Sequence, residues 1–326
     1  MATLAEIRAK LLAQENRGAG KAQFSGDNGV YAFWNIPEGQ TATIRFLPDS
    51  DASNTYFWRE RQMIRIPFSG VKGGDEHKPV IVTVPCMEMW GETCPIHAEI
   101  RPWFKDPAME DLGRKYWKKK SYLFQGFVVD SPVQEDSTPE NPIRRFVINP
   151  SIFNIIKSAL MDPDFPEIPT DYEQGTDFKL TKTTKGQYAD YSTSNWARRE
   201  RSLNEVERNA IVEHGLFNLN DFMPKKPNAE ELHAIFEMFE ASVDGQLYDP
   251  ARWGTFYRPA GVQIDTGASK PTAPAVMDDV DDEPVTRAPA QSAPVATATA
   301  EAPRPATAGS PSAQDILAAI RARKNG

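Results

Sequence analysis

The chain has 326 residues, 40% hydrophobic and 10% aromatic, which is enough to bury the core of one large domain or two small ones. No run of eighteen apolar residues occurs, which excludes a membrane-spanning helix, and the charged start from Met1 to Arg8 lacks the apolar stretch of a secretory signal. Two cysteines exclude a disulfide framework, fit a reducing, intracellular setting and stay available to a metal, while a formal charge of -8 makes the chain acidic overall.

Residues 3–14 predict a short amphipathic helix, because Thr3 and Glu6 form a capping box and Leu4, Ile7 and Leu11 share a face. A helix this short is marginal alone in water, so 1–21 is expected to be an arm that orders on a partner. The stretch 22–260 is expected to be globular. Residues 41–47 alternate with period two and end at Pro48, a strand signature, and 56–67, 80–84, 122–129, 143–148 and 178–183 predict further strands. Between the last two, Asn149 caps a helix that has Pro150 in its first turn and Ile152, Ile155, Ile156 and Leu160 at helical spacing. Helices at 204–213 and 229–243 follow, the latter with Leu232, Ile235, Phe236 and Phe239 on one face. This pattern predicts a mostly β fold with added helices, a small barrel carrying excursions and not a doubly wound sheet.

Beyond 261 proline, alanine, threonine and serine dominate, aromatic residues vanish, and Asp278, Asp279, Asp281, Asp282 and Glu283 form an acidic cluster. Such a segment cannot bury enough apolar area to offset chain entropy, so 261–311 is expected to be a disordered linker. Residues 312–326 predict a short final helix, in which Ile320-Arg321-Ala322-Arg323 repeats the pattern of Ile7-Arg8-Ala9-Lys10.

Two tracts concentrate cations with aromatic rings. The first contains Lys115, Tyr116, Trp117, Lys118, Lys119, Lys120 and Tyr122; the second contains Lys182, Lys185, Tyr188, Tyr191, Trp196 and Arg198. From 101 to 125 there are seven basic and three acidic residues, and from 178 to 201 six and two, so both are islands of positive charge in an acidic chain. Cations neutralise phosphates and planar rings stack on unpaired bases, which makes single-stranded nucleic acid the ligand that rewards both groups together. A solvated helix face or a lysine-protected edge strand would have the same composition.

Cys94 and His97 have the two-residue spacing that lets two side chains bind one metal from a turn. Cys86 lies eight residues before Cys94, and His77 nine before Cys86. Thiolates and imidazoles in this arrangement suit a tetrahedral, structural zinc site, placed in a subdomain at about 70–110; two buried free thiols are the alternative. No phosphate-binding glycine loop, nucleophile with a neighbouring base or paired-carboxylate motif occurs, so a non-enzymatic role is expected.

With these residues in view, the chain resembles the single-stranded DNA-binding protein family of T4-like phages, the gene 32 type, over about 41–199. The matching elements are, in order, Ala42-Thr43-Ile44-Arg45-Phe46-Leu47-Pro48, Cys94-Pro95, Lys118-Lys119-Lys120-Ser121-Tyr122, Ile143-Arg144-Arg145-Phe146 with its following helix, and Phe178-Lys179-Leu180 ending in Tyr188 and Tyr191. The resemblance implies an oligonucleotide-binding (OB-fold-like) barrel beside a zinc subdomain, with a cationic cleft between them. It also implies sequence-independent coating and protection of single strands in DNA replication, recombination and repair, in the cytoplasm of an infected host cell. On that basis Lys118, Lys119, Lys120, Tyr122, Tyr188 and Tyr191 fall on cleft positions, Arg45 reaches its floor, and Arg144 belongs to the same surface. The arm would contact neighbouring copies of the protein, and the tail would recruit replication or recombination proteins. Three features depart from the family: His97 replaces a cysteine, the arm lacks a lysine-arginine cluster, and the chain ends in Arg321-Ala322-Arg323-Lys324 and not in an acidic run. A zinc-dependent nucleic-acid-processing enzyme and a non-catalytic protein-interaction module are the competing readings.

Overall fold

In the computed structural model, residues 29–135, 138–165 and 168–260 are described. The expected arm at 1–21, linker at 261–311 and final helix at 312–326 lie outside the described residues. The strands are β1 (Thr41–Leu47), β2 (Trp58–Phe68), β3 (Val80–Pro85), β4 (Lys119–Asp130), β5 (Ile143–Ile148), β6 (Phe178–Thr181), β7 (Thr183–Lys185), β8 (Tyr188–Asp190) and β9 (Asn195–Trp196). The α-helices are α1 (Pro95–Ile100), α2 (Glu110–Lys115), α3 (Pro150–Leu160), α4 (Glu205–His214), α5 (Ala229–Val243) and α6 (Pro250–Trp253). The fold is mostly β with added helices, as expected.

Seven strands make one antiparallel sheet in the order β3-β2-β4-β1-β6-β9, with β5 on the other edge of β4; β7 and β8 form a separate hairpin. β1 and β2 follow each other along one edge of β4, since Leu47 pairs with Gln125 and Trp58 with Phe124. The chain at 48–57 is thus a loop pushed out of one nearly continuous strand. Where β1 crosses β4 the backbones approach closely: a Cβ on Gly126 would lie 2.2 Å from the Arg45 carbonyl oxygen, so only glycine fits there.

Alternation along each strand sends side chains to opposite faces. Ile44, Phe46, Tyr122, Phe124, Phe146, Ile148 and Phe178 share one face and pack with Ile152, Phe153 and Ile156 of α3. Asn149 caps α3 by accepting the Ile152 N–H at 2.9 Å. On the other face Leu47, Phe127 and Ile143 meet Leu203 and Ala210, while Leu123 and Val147 meet Leu219. The sheet is covered on both sides.

A second core surrounds the far half of β2. Ile64, Ile66, Val82 and Val84 pack with Cys86, Cys94, Trp103 and Tyr116, and also with Ile235, Met238 and Phe239 of α5 and Trp253 of α6. The Cys/His region foreseen at about 70–110 therefore draws in helices from far along the chain, because the apolar face of α5 needs a surface to cover it. The expected barrel needs correcting. Among the described residues β4 is the one strand that pairs with β5, whose other edge holds a single bridge from Val30 to Arg145, and β9 pairs with β6 alone, so the sheet does not close.

Candidate functional site

Cys86, Cys94 and His97 converge, with all three donor atoms within 4.8 Å of one another, and the group could hold a metal ion. Cys86 follows β3 and precedes a short 3-10 turn (Met87–Trp90), while Cys94 and His97 sit at the N-terminus and in the first turn of α1. All three are buried. The Cys94 thiol is pulled down by its hydrogen bond with Cys86, which is pushed up in turn. Backbone N–H groups of His97 and Met87 also favour the Cys94 thiolate. His97 Nδ1 lies 3.7 Å from Cys86 Sγ and 3.0 Å from Glu88 Oε1, and its Nε2 accepts the Lys118 N–H at 3.2 Å. A metal held through Nδ1 would displace the Glu88 contact, and the imidazole proton would then move to Nε2 and face the Lys118 N–H.

His77 does not join this group. It is exposed in the turn before β3, and Cys86 follows the far end of that strand, so a whole strand length separates them.

The first basic tract is tied to the cluster. Trp117 stacks on the His97 ring at 4.5 Å between centroids and 21° between planes. Lys118 Nζ lies 2.5 Å from Glu88 Oε2, and Arg101 binds the same carboxylate. Burial alone would raise the Glu88 carboxyl, but Lys118 and His97 outweigh it and hold the group at about 2. Tyr116 is buried, its hydroxyl 2.9 Å from Ser242 Oγ. Lys119 and Lys120 open β4 with their side chains half-exposed or exposed; Lys120 pairs with Glu60 at 2.9 Å, and Lys119 makes no ion pair among the described residues. Lys115, at the end of α2, is exposed.

Tyr122, expected as a stacking surface, is 7% exposed and lies under Phe153, with ring centroids 3.5 Å apart and planes 10° apart. Its strand neighbour on the same face is Phe124, so alternation delivers it to the core. Tyr191 is 2% exposed and meets the Phe33 ring edge-on. Trp196 is half-buried between Phe178 and Phe165.

Arg45 does not reach a cleft. It is fully buried, donates to Asp177 Oδ1 at 3.0 Å, and reaches the backbone carbonyls of Asp171 and Arg201. Arg144 is likewise engaged, donating twice at 2.8 Å to Glu135. Lys182 donates to the Trp34 carbonyl at 2.5 Å. Lys185 and Tyr188 are exposed on the β7–β8 hairpin, and Arg198 is exposed after β9. The two sets of exposed cations stand apart: Lys119 and Lys120 open β4, whereas β6 joins through β1 near Asp130 at its end.

Two residues outside both tracts emerge from the packing. Tyr56 is 60% exposed and lies on Trp58, with centroids 4.8 Å apart and planes 32° apart. The signal in the sequence was Tyr56-Phe57-Trp58 at the start of a strand, but no cation adjoins Tyr56 to mark it. Glu88, the carboxylate that joins His97, Lys118 and Arg101, carried no sequence signal.

Among the described residues no helix is long and apolar enough to cross a membrane. No family model matches the chain, and no curated protein matches it.

Proposed function

We propose that this protein binds single-stranded DNA without sequence preference, coating and protecting strands during phage DNA replication, recombination and repair, in the manner of the family it resembles. The observation that carries this reading is the position of the first tract: Lys115, Lys119 and Lys120 lie exposed or half-exposed on α2 and β4 in an acidic chain, with Lys120 four residues along the sheet from the aromatic-rich start of β2. The pairing order β5-β4-β1-β6-β9, with α3 between β5 and β6, supports an oligonucleotide-binding sheet of the partly open kind. Affinity would come from phosphate neutralisation and from stacking, at about 1–3 kcal/mol per base.

The soft donor set of Cys86, Cys94 and His97 fits zinc, which would cross-link β3, α1 and, through the Trp117 ring stacked on His97, the start of the basic tract. Burial of all three donors favours a structural over a hydrolytic ion. The full chain should bind oligo-dT with quenching of tryptophan fluorescence, lose affinity linearly in log-log terms as salt rises, and leave the oligonucleotide uncut. Cleavage of the strand, or salt-insensitive binding, would remove the coat-protein reading. Elemental analysis should find about one zinc per chain; a folded protein free of metal would return the cluster to two thiols and a hydrogen-bonded histidine.

A further inference from the structure

We infer that Tyr56, backed by Trp58, is a base-stacking platform of this protein; the inference rests on the single-strand reading and places one contact that neither basic tract supplies. Tyr56 tops a column of tilted rings that runs from solvent into the sheet core. Tyr56 to Trp58, Trp58 to Phe124, Phe124 to Phe46 and Phe46 to Phe178 have centroids 4.8, 5.8, 4.8 and 5.9 Å apart, with planes tilted by 32°, 30°, 36° and 32°. The inner rings are buried and Trp58 is half-buried, whereas Tyr56 ends the column with most of its surface in water. A ring so supported offers a π-face without the entropy cost of ordering a mobile side chain.

The loop that presents Tyr56 is strapped down. Asn54 accepts the Tyr56 N–H at 3.1 Å and donates to Asp49 at 2.8 Å and to the Trp58 carbonyl at 3.2 Å. Arg59 grips Asp49 and Asp51, and Asp49 also accepts the Leu219 N–H at 3.0 Å, tying the loop to the segment that covers the far face of the sheet. These bonds fix the backbone on both sides of Tyr56 and leave its outer face open.

Charge indicates the occupant. Trp58 pairs with Phe124 and Gln62 with Lys120, on the same face of the sheet, so Lys120 follows Trp58 along β2 and β4 by four residues, about 13 Å. Lys120 is paired there with Glu60 at 2.9 Å, while Lys119, the next residue of the strand, alternates to the other face. An aromatic face followed by a cation on the same face matches a base followed by a backbone phosphate, which would take the place of Glu60 on Lys120; an apolar protein partner would have no use for the lysine, and an acidic one none for the ring.

The test uses the full chain and fluorescently labelled oligo-dT at several salt concentrations. Tyr56→Ala should raise Kd about 5- to 150-fold with an unchanged salt slope, and Tyr56→Phe, which keeps the ring, should stay within about twofold of the parent. Oligonucleotides containing iododeoxyuridine should photo-crosslink to the segment that carries Tyr56. If the parent binds and Tyr56→Ala binds equally well, the platform is overturned while the single-strand reading survives. If the parent does not bind, both fall.

Discussion

The two basic-aromatic tracts have the same recipe in sequence, but the structure divides them differently. In the first, Tyr116 and Tyr122 go to two separate cores, Trp117 covers His97, and Lys118 is held by Glu88, leaving Lys115, Lys119 and Lys120 at the surface. In the second, Tyr191 enters the sheet core and Lys182 binds a backbone carbonyl, but the β7–β8 hairpin carries Lys185 and Tyr188 away from the sheet. A tract built into a central strand gives its rings to the core and keeps only cations outside. A tract that leaves the sheet as a hairpin keeps both outside. Adjacency of a ring and a cation is therefore poor grounds for a stacking role; the register of the strand decides.

The largest expected effects test that division directly. Tyr122→Ala and Tyr191→Ala should each cost about 3–5 kcal/mol of stability in urea titrations, as core truncations do, whereas Tyr56→Ala should stay within about 0.5 kcal/mol. Equal stability of all three would mean that Tyr122 and Tyr191 face solvent. Arg45→Ala should also cost about 3–5 kcal/mol, because it empties a fully buried site, leaves Asp177 with Arg201 as its one arginine partner and takes a donor from the Asp171 and Arg201 carbonyls. Its oligo-dT affinity, measured well below the unfolding transition, should match the parent; a lower salt slope would return Arg45 to the cleft.

A smaller effect concerns the lysines. Each phosphate contact on a single strand adds about 0.7 to the log-log salt slope, so Lys120→Ala should lower it by about 0.7, while Lys118→Ala should leave it unchanged. A slope that responds to Lys118 and not to Lys120 would show that the Glu88 contact breaks on binding.

The smallest effect is acid dependence at the clamp between the second tract and α4. Glu207 is buried, which would raise its carboxyl, but two-pronged bonding from Arg201 and the Asn204 N–H hold it below the ordinary value of 4.5. A depressed folded value means that its stabilisation is present above about pH 4.5 and is lost as pH falls through the folded value. Urea midpoints measured from neutral to acid pH should fall less steeply in Glu207→Gln than in the parent. Parallel profiles would exclude Glu207 as a contributor to acid unfolding.

Local signals were enough for the longer elements, though not for the short helices α1, α2 and α6 or the short strands β7 to β9. Period-two alternation ending at Pro48 delimits β1, Asn149-Pro150 starts α3, and the apolar stripe from Leu232 to Phe239 marks α5, because each of these depends on neighbours in the chain. The convergence of Cys86, Cys94 and His97 was also legible, since a short turn forces such spacing together. Tertiary structure alone decided which charges and rings stay available. The partners that bury Arg45, Tyr122 and Tyr191 (Asp177, Phe153 and Phe33) come from distant segments of the chain, and the exclusion of His77 follows from the length of β3. Tyr56 reached the surface because β1 and β2 share one edge of β4 and push the residues between them outward, a consequence of pairing register that no local pattern encodes.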